Sequence, residues 1–250
     1  MSYYRRLPNT DVGRVEALRR AIGMEGYKEN DELVLSYRTI EDARQLIAPF
    51  DKVRINAAQT KEARDKFSRT YRPKYRLAQL YVNHFIQVLL MAVQRGEIRK
   101  EVLDAYGLGN MRIPDVYPEA ALNEWGERII KAEEARIASG GIPIYNPTIA
   151  KVKVYWLAFH EDYEPMMRLR QNWEKAQEEV VKMRPSVDDL ILDIWNQVGK
   201  VYAAFPWLEQ VNRSAQFGVV YYDRKDRERK RAERERLKEE NRRKQINLDI

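Results

Sequence analysis

Cysteine is absent from this chain of 250 residues. The protein therefore has no disulfide framework, no thiolate metal site and no thiol nucleophile, and nothing indicates export through an oxidising compartment. Glycine and proline are also scarce, with 11 and 10 residues. This scarcity favours long helices over a fold rich in turns.

Histidine is nearly absent, since the chain has only His84 and His160. His84 falls on the apolar face of a predicted helix, where we expect a packing role. His160 and Glu164 have the i, i+4 spacing of helical metal ligands, but Pro165 follows and the HExxH pattern is missing. We therefore predict no metal site and no bound cofactor.

Other catalytic patterns are missing as well. Gly107 and Gly109 have no following Lys-Ser/Thr pair and no strand-to-helix context, which excludes a phosphate loop. Asp188, Asp189 and Asp193 follow a predicted helix start, where the helix dipole favours acidic side chains without any catalytic role. We predict a protein that is not an enzyme and has no small-molecule substrate.

Charge is plentiful, and most of its imbalance lies at one end. The chain has 45 Lys and Arg against 38 Asp and Glu, which gives a formal charge of +7. Residues Asp223 to Ile250 hold 12 basic and 8 acidic residues, so the body of the chain is close to neutral. The first 20 residues lack an apolar signal core, and a cytoplasmic location is expected.

The most apolar stretch is Pro73 to Val93, PKYRLAQLYVNHFIQVLLMAV, and it has helical periodicity. Its predicted inward face includes Leu77, Leu80, His84 and Phe85. Four amides interrupt the stretch and favour a helix buried in protein over a membrane span. These amides, a predicted half-buried partner face, are Gln79, Asn83, Gln87 and Gln94.

Two long segments predict the architecture. Thr39 with Asp42 forms a capping box that opens the first segment. Each segment reads as a long helix, a short Arg-Pro turn and an apolar helix, with the turns at Arg72-Pro73 and Arg184-Pro185. The segments match at offsets of 109 and 112 residues, which indicates either an internal duplication or chance similarity between helical hairpins.

The predicted fold is all-α, a four-helix bundle built from two similar long helical hairpins. Short extra helices, a short β-strand pair and a charged C-terminal helix complete it. The predicted parts are an N-terminal arm with a short helix (1–38), the helical bundle (39–222) and a charged helical tail (223–250). Within the bundle, hairpin 39–97, crossover 98–147, hairpin 148–205 and strand 217–222 follow one another.

The strand FGVVYY, residues 217–222, has no local hairpin partner. We expect it to pair with ELVLSY (32–37), with residues 142–145, or with another chain by strand addition.

The second half of the chain resembles a known group of proteins. The stretches NPTIAKVKVYWLAF, RQNWEKAQEEVVKMRPSVDDLILDIWNQV and FGVVYYDRKD are similar to an uncharacterised all-helical bacterial protein family with a closing G-V-V-Y motif. The resemblance covers Ile142 to Asp226. It implies a helical bundle and supplies no activity and no functional residue.

These patterns favour a structural or adaptor protein that acts by self-association or by protein contacts in a larger assembly. The alternative is a nucleic-acid-binding protein that uses the basic tail and the Arg-rich N-terminus. Besides the four amides, the predicted partner-binding residues are Trp207, Val219, Tyr221, Arg224, Arg227, Lys230 and Arg231.

Overall fold

The computed structural model describes residues 3–246, and helices dominate it, as an all-α fold requires. A 3-10 helix, Lys100–Tyr106, lies between the second and third α-helices. The remaining elements are β1 (Tyr3–Arg5), α1 (Asp11–Gly23), β2 (Lys28–Glu29), β3 (Glu32–Leu33), α2 (Tyr37–Gln94), α3 (Glu119–Ala138), α4 (Ile149–Tyr202), α5 (Trp207–Gln216), β4 (Tyr221–Asp223) and α6 (Arg224–Ile246).

The two predicted Arg-Pro turns are wrong. Helix α2 runs unbroken for 58 residues and α4 for 54, so each predicted hairpin is a single helix. Proline removes one backbone hydrogen bond and costs about 3 kcal/mol inside a helix. Pro73 and Pro185 are exposed, so water can reach the side of the helix that loses its bond.

Packing on both sides of each proline holds the helix together. Tyr71 and Ala78, which flank Pro73, are buried in one hydrophobic cluster. Val180 and Val187, which flank Pro185, are buried in a second one. The predicted internal repeat was based on two helical hairpins, and because each segment is a single helix, that basis is gone.

The start of α2 also differs from the predicted capping box. The helix begins at Tyr37, and the Ser36 hydroxyl accepts a hydrogen bond from the Thr39 amide at 3.1 Å. Thr39 is buried and donates its own hydroxyl to Asp193 at 3.2 Å. Ser36 thus performs the capping role, and Thr39 joins α2 to α4.

The chain forms two compact units, and the boundary between them crosses both long helices. Unit 1 comprises residues 1–57 and 176–250, of which 3–57 and 176–246 are described. Its core joins α1, the first part of α2, the last part of α4 and the segment around Phe217. Trp195, Phe50 and Leu18 are among its fully buried side chains.

The strand prediction for unit 1 is partly corrected. β4 pairs antiparallel with β1, with Tyr3 opposite Asp223 and Arg5 opposite Tyr221, so its partner is the N-terminus. Phe217 and Val219 are anchored in the core, and the strand is formed by residues 221–223, which follow them. The short strand pair itself is confirmed.

The ELVLSY segment forms a different, local hairpin. β2 pairs with β3 across Asn30 and Asp31, which have φ values of 50° and 67°. Asn and Asp tolerate this left-handed conformation, which two-residue hairpin turns require.

Unit 2 comprises residues 58–175. Within it α2 and α4 run antiparallel, because Arg64 lies over the Trp173 ring, Lys74 pairs with Asp162 and Tyr81 stacks on Tyr155. Helix α3 packs on this pair through Leu122, Ile129 and Ile130. The segment between the two long helices contains the 3-10 helix and α3.

Candidate functional site

Residues 77–94 of α2 form five helical turns without a single Asp, Glu, Lys or Arg. One side of this stretch is the centre of the unit 2 core, where Ala78, Val82, Phe85 and Leu89 are fully buried. The stretch is nevertheless apolar on its opposite side as well, which the core does not explain.

We call that opposite side the outward face, and it consists of Leu77, Leu80, His84, Val88 and Met91. Leu77, Leu80 and Met91 are 41%, 60% and 46% exposed, His84 is exposed and Val88 is half-buried. The sequence-based prediction that Leu77, Leu80 and His84 point inward is therefore wrong. A helix that is apolar on all sides gives periodicity no means of choosing its buried side.

The four predicted amides lie along one edge of the outward face. Gln79, Asn83 and Gln87 are half-buried and Gln94 is exposed. The Gln79 side-chain nitrogen is buried and has no hydrogen-bond partner within residues 3–246. Such a group is costly unless something satisfies it, so the amide edge is polar but not fully satisfied by this chain.

The other edge of the outward face is held by contacts to α4. Tyr81 stacks flat on Tyr155, with ring centroids 4.3 Å apart and an interplanar angle of 7°. The Lys151 ammonium lies 5.1 Å from the Tyr81 ring centroid, and Lys74 pairs with Asp162 at 2.6 Å. These contacts fix the rotation of α2 and hence the direction of the outward face.

By length and composition alone, α2 contains one 18-residue window apolar enough to cross a membrane, and 39% of that window is buried inside the protein. A core helix meets the same criterion, and the inner side of this stretch does pack in the unit 2 core.

Three residues after α4 that were predicted to bind a partner pack inside unit 1: Trp207, Val219 and Tyr221. Trp207 packs between Tyr3, at a centroid distance of 4.8 Å, and Tyr221, at 5.1 Å. Val219 is only 3% exposed. The aromatic cluster joins β1 to α5 and β4. The burial of Val219 leaves it without a surface for a partner.

The charged tail is a helix, as predicted, and residues 231–240 are all exposed. Asp223 accepts a hydrogen bond from the Lys225 amide at 2.9 Å and so caps the start of α6. Arg231 pairs with Glu235 at 3.1 Å. The side chains of Arg224, Arg227 and Lys230 lie outside the described residues.

Two of the acids that were placed near a predicted helix start, Asp188 and Asp193, have another role. Because α4 is continuous through Pro185, Asp188 and Asp193 are in mid-helix. Asp188 accepts two hydrogen bonds from Arg14, at 2.8 and 2.9 Å, and Asp193 accepts from Thr39 and Gln197. They hold neighbouring elements of unit 1 together.

Asp11, in the first turn of α1, completes this arrangement. It accepts two hydrogen bonds of 2.8 Å from Arg184. The Arg184 hydrogen bonds and charge hold the pKa of Asp11 below its usual range.

Unit 2 contains a buried polar cluster that the sequence did not reveal. Glu133 is 0% exposed and accepts hydrogen bonds from the Tyr106 hydroxyl at 2.5 Å and from Arg136 at 2.7 and 2.8 Å. The Ile144 amide points at the same carboxylate from 3.4 Å. Burial, followed by the hydrogen bond to Glu133, raises the pKa of Tyr106.

Glu133 therefore ties the 3-10 helix and the loop before α4 to α3. A Glu three residues before an Arg on a predicted helix is too common to have signalled this cluster.

His160 is held in a structural contact. His160 stacks on Trp156 and its Nδ1 lies 2.7 Å from the Asn123 side-chain oxygen. Among residues 3–246, no group of three or more His, Cys, Asp or Glu side chains is arranged to hold a metal ion.

A groove of 570 Å³ in unit 1 is lined by charged and polar side chains, including Arg5, Lys200 and Asp193. Arg5 is already engaged, since it donates to the Trp195 carbonyl at 2.5 Å and to Asn196 at 3.0 Å. The groove therefore has mixed charge and one of its cations is committed to the fold.

Comparison of the chain with protein-family models, with curated proteins and with solved structures finds no match.

Proposed function

We propose that this protein is a non-enzymatic structural or adaptor protein that works by self-association or by contacts with other proteins in a larger assembly. The observation that carries this proposal is the outward face of α2. A soluble surface in a chain with 33% charged residues has no structural need for five uncharged turns.

The energetics favour contact with a protein surface. Leu77, Leu80 and Met91 are each about half exposed, so covering them contributes about half of the roughly 1.5–3 kcal/mol that full burial of such a side chain provides. Their sum is on the order of 2–4 kcal/mol, whereas association costs about 4–15 kcal/mol in lost freedom. The face of one copy is thus marginal alone, and a partner that brings an equal apolar face doubles the gain.

The test is the mass of the protein in solution, measured by light scattering over a range of concentrations. We expect an assembly larger than one chain, which the double substitution Leu80→Glu with Met91→Glu reduces in mass or in affinity. Because both side chains are exposed, the substitutions leave the core intact, and circular dichroism checks that the fold is kept.

Leu208→Glu is the matched control, since Leu208 is an apolar residue of α5 that is 72% exposed. It should leave the assembly unchanged. A single-chain mass at every concentration, together with partner capture that is the same for the wild type and the double variant, would refute the proposal.

A second candidate function, nucleic-acid binding, is favoured by one observation. Helix α6 holds 12 basic and 6 acidic residues in 23 positions, and its residues 231–240 are exposed. A helix of this length spans about 35 Å and can follow a phosphate backbone.

Retention on DNA or RNA at rising salt tests this second function. The truncated chain should end at Asp223, because β4 then keeps its pairing with β1. Nucleic-acid binding predicts salt-dependent retention that disappears with residues 224–250, whereas equal retention of both forms would remove α6 from consideration.

A further inference from the structure

The geometry of the outward face points to a specific occupant: the same face of a second copy of this chain, packed antiparallel, with His84 at the two-fold axis. This inference rests on the proposed function and deepens it. It replaces an unspecified protein contact with a defined helix pair.

The first argument is the spacing of the side chains on the outward face, of which Val88 is half-buried and the others are exposed. Taken from His84, they lie at −7 (Leu77), −4 (Leu80), +4 (Val88) and +7 (Met91). The pattern is symmetric about its centre. An antiparallel pair that crosses at His84 therefore places Leu77 against Met91 of the second copy and Leu80 against Val88, with His84 facing its own equivalent.

Such a contact is isologous: the same patch is used on both sides, as in most dimers. It also doubles the number of apolar side chains that are covered, which is what the marginal face of one copy requires.

The second argument is the charge at the two ends of the face. Arg72 and Arg76 precede it and are exposed, and α2 ends just beyond it at Gln94. In the antiparallel pair, Arg76 comes opposite Ala92 and Arg72 opposite Gly96, beside the negative end of the partner helix dipole and the Arg95–Glu97 ion pair, whose two charges cancel. A parallel pair would instead bring Arg72 and Arg76 against their own equivalents, so charge complementarity selects the antiparallel arrangement.

The third argument concerns the polar edge. Gln79, Asn83 and Gln87 flank the outward face and are half-buried. Amides that enter a lipid phase lose their hydrogen bonds to water, whereas a second copy offers the same amides as partners. A protein surface of like composition therefore suits the face better than a lipid surface.

The absence of cysteine makes the test direct, because every introduced thiol is unique. His84→Cys places one thiol per chain at the two-fold axis. Mild oxidation of the full-length variant should move most of the protein from the one-chain to the two-chain band on a non-reducing gel, and reductant should reverse the shift.

Leu77→Cys is the matched control on the same face. In the antiparallel pair its two copies lie 14 residues apart along the helix axis, about 21 Å, which is far beyond disulfide reach. Leu77→Cys should therefore remain in the one-chain band alone. A mixture of Leu77→Cys chains with Met91→Cys chains should give the two-chain band.

The outcomes separate this inference from the proposed function. Linkage of Leu77→Cys alone as complete as that of His84→Cys means a parallel pair and overturns the antiparallel arrangement. A one-chain mass with no linkage overturns self-association; if the Leu80→Glu, Met91→Glu variant then loses a captured protein, the adaptor function stands. Flotation of the wild type with phosphatidylcholine–phosphatidylglycerol vesicles, lost in that variant, assigns the face to lipid and overturns both.

Discussion

The buried carboxylate of Glu133 is the interaction in this fold whose removal we expect to cost most. Its hydrogen-bond partners are all donors: the Tyr106 hydroxyl, two N–H groups of Arg136 and the Ile144 amide. In a Glu133→Ala variant these donors lose their acceptor together. Arg136 is 12% exposed at its side chain and recovers some hydration, but Tyr106 is fully buried.

The magnitude follows from these burials. Each stranded polar group costs roughly 1–3 kcal/mol, and breaking one side of a buried ion pair typically costs about 3–5 kcal/mol. We therefore expect Glu133→Ala to lower the free energy of unfolding of unit 2 by about 3–5 kcal/mol. Glu133→Gln should cost nearly as much, because its NH₂ group would face donors.

Urea denaturation is the assay, followed by circular dichroism and by tryptophan fluorescence, to which Trp125, Trp156 and Trp173 of unit 2 contribute. The matched control is Glu127→Ala on the same helix, whose i, i+4 pair with Lys131 is exposed. That change should cost at most about 0.5 kcal/mol.

A double-mutant cycle with Arg136→Ala completes the design. The double variant should be less destabilised than the sum of the two single variants, because the second substitution removes the charge that the first one strands. If Glu133→Ala costs no more than Glu127→Ala, the carboxylate does not hold the loop and the 3-10 helix on α3, and the reasoning fails.

Two further predictions concern packing and pH. Gly126→Ala should destabilise the protein by about 1–3 kcal/mol, since the added methyl would lie 2.0 Å from the Trp156 ring, and thermal melts measure this loss. Gly23→Ala is the control: nothing lies within 4 Å of the added methyl, so this change should be neutral or slightly stabilising. Because the pKa of Asp11 is lowered in the folded state, its ionised form stabilises the fold at pH values above its unfolded pKa of about 3.9. That stabilisation is lost as the pH falls through the folded pKa, so Asp11→Asn should flatten the acid limb of the stability–pH curve. An equally steep acid limb in that variant would assign the pH dependence to other groups.

Local patterns predicted the local features of this chain well. Thr is a preferred N-cap residue, and Thr10 accepts the Gly13 amide at 3.1 Å directly before α1. Helix α3 begins directly after Pro118 and ends shortly before Gly140 and Gly141, residue types that stop helices. Each of these features depends on residues a few positions apart, which is the range over which sequence rules are strong.

The wrong predictions share a different cause, which is long-range packing. Pro73 and Pro185 break helices by local rules, but buried neighbours on both sides carry α2 and α4 through them. Likewise β4 pairs with β1, its partner at the opposite end of the described chain, and no local signal specifies such a register. The buried role of Glu133 also depends on Tyr106 and Ile144, which lie on other elements.

The outward face shows most clearly what structure adds to periodicity. Leu80 and Phe85 belong to the same apolar helix, yet Phe85 is fully buried and Leu80 is 60% exposed. Replacing Leu80 by a charged residue should cost the fold little, because an exposed helical position tolerates Glu well. Stability therefore does not account for an uncharged surface here. The proposed binding role would account for it, and the position of Leu80 relative to His84 and Val88 defines what kind of surface would cover it.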